Sequence, residues 1–132
     1  MADVNRGGRP LSPHLQVYRP QWTSMSSILV RLTGIGCLLL MPLIVIWLLA
    51  ASSSANGFGI INGVLTSWLG SLIMLGGVWA LTYHMLGRLR HVIWDFGFLV
   101  NVPASEKMAY AMVITATLVT GLVALFQFGV IQ

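Results

Sequence analysis

The residues best suited to chemistry lie in "HMLGRLRHVIWD", residues 84–95. Placed on a helix at about 100° per residue, His84, Arg88, His91 and Asp95 fall within an arc of roughly 60°. The long polar side chains of this helix end are expected to point one way. Lipid does not tolerate such a face, because ionisable groups in membrane spans turn toward a bundle interior or a cavity. His84 is about 6 Å deeper than Arg88 at helical rise, among Ala80, Leu81, Met85 and Leu86.

A buried neutral imidazole needs a partner at each nitrogen. Three chemistries answer that need: a structural histidine with both nitrogens bonded, a proton relay, or an axial ligand to haem iron. A haem's propionates would meet Arg88 and His91 one and two turns outward. His84 and His91 are about 10 Å apart along the axis, so they cannot ligate one iron together. The remaining histidine, His14, precedes the first apolar run. An iron on His84 therefore takes its second axial ligand from another chain.

A second polar spot is "SILVRLTG", residues 27–34. Ser27, Arg31 and Gly34 share a helix face. A hydroxyl beside a guanidinium can donate hydrogen bonds to a carbonyl, such as that of a quinone. Gly34 lets a helix or a ring system approach closely. Arg31 alternatively reads as a snorkelling anchor.

The elements that must position these residues are set by composition. The chain has 132 residues, 57% hydrophobic and 8% charged. That is too little charge to cover a water-facing surface, for which about 25% is usual. Leu32–Ala51, Val64–Gly87 and Met108–Ile131 contain no Asp, Glu, Lys or Arg. Each is long enough to span a bilayer as a helix, and none alternates as a barrel strand does. The expected fold is all-α: three transmembrane helices joined by short loops, with Ser52–Gly63 as the first loop. Three helices enclose a cofactor poorly, so a second membrane subunit is expected to complete a larger bundle.

The ten charged residues fall before or at the start of helix one and between helices two and three. By the positive-inside rule, the N-terminus and the 88–107 loop are expected on the cytoplasmic side, and the C-terminus opposite. Topology accounts for all the basic residues behind the net charge of +4, so nucleic acid is not an expected partner. Residues 1–25 carry Pro10, Pro13 and Pro20 and no signal-peptide core. They read as a cytoplasmic docking segment or a disordered tail, ahead of a membrane domain at 26–131. The single cysteine, Cys37, reads as packing.

"RPLSPHLQVYR", "SILVRLTG" and "HMLGRLRHVIWDFG" together resemble the cytochrome b subunits of succinate dehydrogenase, the larger of two membrane anchors in respiratory complex II. The resemblance implies a multi-pass subunit of the bacterial inner membrane. Its partners would be a second membrane anchor, an iron–sulfur subunit and a flavoprotein subunit. Electrons from succinate would reach ubiquinone. His84 matches the axial ligand of haem b, whose second ligand comes from the other anchor. Ser27 and Arg31 match quinone-site residues, and Arg31 and His91 match positions near the haem propionates. Two positions depart from the pattern: Val30 stands where the family usually has histidine, and Arg88 where it has a small residue. Arg88 is a candidate to supply the lost cation at the propionates. A haem-free anchor and a small transporter using His84 as a proton site are the competing functions.

Overall fold

A computed structural model describes residues 18–129. The elements are α1 (Trp22–Ser53), α2 (Ala55–Thr66), α3 (Trp68–Asp95) and α4 (Val102–Gln127). No strand occurs among the described residues. The helices α1, α3 and α4, of 32, 28 and 26 residues, are each long and apolar enough to cross a membrane. These are the three expected spans, each extended at its charged end, while α3 starts at Trp68 rather than Val64 and α4 ends at Gln127. Most of the expected 1–25 segment lies outside the described residues, and α1 already includes residues 22–25.

The connection after α1 differs from expectation. Ser52–Gly63 was expected to be a loop, yet most of it belongs to α2. Ser54 caps this helix, accepting from the Gly57 amide at 3.2 Å. The Trp47 indole of α1 donates to Asn62 at 3.3 Å and tilts against Phe58 with ring centroids 5.7 Å apart. These contacts offset the helix-weakening effect of Gly57, Gly59 and Gly63. Ser67 then breaks the backbone and caps α3 by accepting from the Gly70 amide. The α3–α4 turn uses Gly97 at φ 78°, a conformation that suits glycine after a helix end. Asn101 caps α4 by accepting from the Ala104 amide at 2.9 Å.

The core is narrow. Val30 of α1, Tyr83 of α3, and Met112 and Ala116 of α4 are buried together, flanked by Leu29, Trp79, Leu86 and Val113. Large apolar side chains cover most of the exterior, Leu38, Leu39, Trp68 and Leu118 among them. In water so large an apolar exterior would aggregate or bind a partner. In a bilayer it costs nothing, and helix association rests on packing of small residues and on hydrogen bonds.

Candidate functional site

The helices α1 and α3 run antiparallel along one seam. The pairs Gly34 with His84, Val30 with Gly87, and Ser26 with Arg90 mark it from the membrane interior to its charged end. Ser26, Val30 and Thr33 are the buried stripe of α1; Tyr83, Gly87 and Arg90 are that of α3. Both follow an i, i+4, i+7 spacing, the periodicity of one helix face.

His84 sits at the edge of this seam, half-buried. Its Nδ1 lies 2.8 Å from the Val30 carbonyl oxygen, and its Nε2 accepts from Arg88 Nε at 3.3 Å. A carbonyl only accepts and a guanidinium only donates. The ring is therefore the tautomer with its proton on Nδ1 and its lone pair on Nε2, where Arg88 donates. Anchoring one nitrogen on a backbone carbonyl is how proteins orient an imidazole whose other nitrogen binds a metal. The ring fits only because Gly34 has no side chain. A Cβ there would lie 2.7 Å from His84 Cε1 and 3.0 Å from Nδ1. Next along the seam, the Val30 side chain occupies the space where Gly87 would carry a Cβ.

Arg31 and Arg88 are exposed, and Ser27 and His91 are half-buried. Ser27, Arg31 and His91 form no side-chain hydrogen bond with another described residue, although the His91 ring tilts against Trp94 at 5.4 Å. The structure thus joins His84, Arg88, Val30 and Gly34 directly. Ser27 and Arg31 stand beside them on the outer side of α1, one position along from the buried Ser26 and Val30. Beyond Gly34 and His84, a cavity of about 260 Å³ opens between α1 and α3. Cys37, Met41, Ile44, Met74, Gly77 and Leu81 line it with Leu40 and Val78. No group of three His, Cys, Asp or Glu side chains comes together among the described residues, so a metal at His84 needs a ligand from elsewhere.

One long polar side chain does not share the His84 face. Arg90 is 1% exposed, turned inward between the helices. Its Nη1 donates to Ser26 Oγ at 2.8 Å, and its guanidinium lies 4.6 Å from the Trp94 ring centroid. Tyr83, fully buried, donates to the Ser26 carbonyl at 3.2 Å and stacks on Trp79 at 5.1 Å. The expectation of a single polar face missed Arg90, Ser26 and Tyr83. The signal was available in the spacing: Arg90 is about 120° around the helix from His84, on the stripe of Tyr83 and Gly87.

Comparison with known proteins identifies the family. The profile of the family described as Succinate dehydrogenase/Fumarate reductase transmembrane subunit matches residues 5–124. A succinate dehydrogenase cytochrome b556 subunit of Paracoccus denitrificans is 45% identical over 113 residues, covering 86% of this chain and 87% of the relative. A cytochrome b560 subunit of the same enzyme from Chondrus crispus is 31% identical over 114 residues, covering 84% and 90%. A cytochrome b556 subunit from Rickettsia typhi is 29% identical over 112 residues, covering 85% and 87%. With three spanning helices and a matched length that includes both polar helix ends, the chain belongs to the succinate dehydrogenase/fumarate reductase transmembrane subunit family.

Proposed function

We propose that this chain is the haem- and quinone-bearing membrane anchor of a succinate:quinone oxidoreductase. The observation that carries the reading is the His84 imidazole, held at Nδ1 by the Val30 carbonyl so that its lone pair is on Nε2, where only the exposed Arg88 donates to it among the described residues. The absent Cβ of Gly34 makes room for the ring beside α1. Arg88 must leave Nε2 for a metal to bind there. Its exposed position lets it swing outward, where with Arg31 and His91 it would pair with propionates. A bound haem b supplies one-electron storage at a potential set by its axial ligands and nearby charges.

Ser27 and Arg31 would donate hydrogen bonds to a ubiquinone carbonyl at the membrane edge. A second membrane anchor would supply the other axial ligand and cover the open side of α1 and α3. The iron–sulfur and flavoprotein subunits would dock on the cytoplasmic side, with residues 1–25 as a docking segment and the C-terminus across the inner membrane.

The hydrogen bond from Arg88 to Nε2 favours a second reading, a haem-free anchor in which Arg88 replaces the metal as the partner of His84. The absorption spectrum of the purified complex separates the two. A sharp reduced α-band supports the first reading, and its absence from a fully assembled complex would establish the second.

A further inference from the structure

Arg90 is the least expected side chain in the bundle. It is 1% exposed, yet among the described residues only Nη1 has a partner, and Nε and Nη2 are buried without one. An arginine stays charged in proteins, and this one has no carboxylate hydrogen-bonded to it among the described residues. Burying a charge costs desolvation free energy that one bond to a hydroxyl does not return. A neutral donor could hold Ser26 at lower cost. The charge itself therefore requires an explanation, and ionisable groups buried in membrane proteins mark functional sites.

Its position supplies one. Arg90 holds Ser26, the residue before Ser27, and consecutive Cα atoms are about 3.8 Å apart. Tyr83 grips the same residue from its carbonyl side. Together they fix the first turns of α1, where Ser27 and Arg31 stand. The apolar surroundings, with Trp94 against the guanidinium, screen the charge weakly.

We propose that Arg90 is a positioning residue of the quinone site: it fixes the Ser26–Ser27 turn of α1, and its unneutralised charge favours negative charge on the bound quinone. The inference rests on the quinone role of Ser27 and Arg31. Reduction adds one electron to give a semiquinone anion, then a second electron with two protons to give the quinol. Both electrons come from succinate, oxidised to fumarate with release of two protons in the partner subunits. The anionic semiquinone is the species that a fixed cation stabilises most.

The experiment is a potentiometric titration of the semiquinone radical by electron paramagnetic resonance. It uses assembled complexes carrying Arg90→Gln, Arg90→Lys or Arg31→Ala. Arg90→Gln keeps a donor for Ser26 and loses the charge, and is expected to lower the semiquinone stability constant by about tenfold, the scale of one charge acting through a protein dielectric. Arg90→Lys keeps the charge and is expected to restore most of it. Wild-type stability in Arg90→Gln would overturn the proposal. So would an equal loss in Arg90→Lys. Failure of Arg90→Gln to assemble, alone or with Arg90→Lys, would overturn it too, by assigning the residue to assembly. A radical that ignores Arg31→Ala removes the quinone site from this end of α1. A radical that responds to Arg31→Ala and ignores Arg90→Gln removes only the role of Arg90.

Discussion

The His84 imidazole lies where a side chain at Gly34 would be, with Cε1 2.7 Å from the missing Cβ. This ties the ring to the backbone of another helix, so its orientation depends on how α1 and α3 pack. Gly34→Ala is therefore expected to push the ring off the Val30 carbonyl and to lower haem content in the assembled complex. Overpacking of this kind costs about 1–3 kcal/mol. Gly36 has nothing within 4 Å of its Cβ position, so Gly36→Ala should leave haem content unchanged. Equal haem-to-protein ratios in the two variants would contradict the seating of His84 on Gly34.

His84→Leu is expected to abolish or change the haem spectrum, and His91→Leu to disturb it less. The asymmetry follows from depth. His84 is about two turns further into the membrane than His91. Losing an axial ligand changes spin state and potential, whereas losing His91 removes a contact that Arg88 can partly replace. Reduced-minus-oxidised spectra, normalised to assembled complex, test this. An intact α-band in His84→Leu, or a greater loss in His91→Leu, would reject His84 as the ligand.

Ser27→Ala and Arg31→Ala should each impair quinone reduction while succinate-driven reduction of a soluble dye stays normal. Neither residue has a described side-chain partner to lose, so assembly should survive. A hydrogen bond from a charged donor is worth about 1.5–3 kcal/mol against about 1 for a neutral one, so Arg31→Ala should be the more severe. Normal quinone turnover in both would return Arg31 to a snorkelling role.

The distribution of charge predicts the orientation of the chain in the membrane. A reporter fused after Gln132 should be active only on the non-cytoplasmic side. Cytoplasmic activity of that fusion would invert the arrangement and move Ser27, Arg31 and His91 to the wrong face for cytoplasmic partners.

The sequence by itself determined the spans and the gathering of polar side chains at their ends. Three runs without charge leave only helices in a bilayer, and the i, i+4, i+7 spacing of His84, Arg88 and His91 needs only helical geometry. Gly34 was legible as a place of close approach. What approaches it was not, because α1 and α3 are joined by packing between residues 54 apart in the chain, as His84 and Val30 are. Tertiary structure also decided which of two adjacent stripes faces inward. Turning α3 by about 100° would exchange Arg90 for His91 at the seam, and composition does not distinguish those faces. The choice falls to shape: Gly87 admits Val30, and Ser26 gives Arg90 a hydroxyl. The helix α2 was hidden for a related reason. Its glycines argue for a loop, and Trp47, fifteen residues before Asn62, supplies the contact that favours a helix.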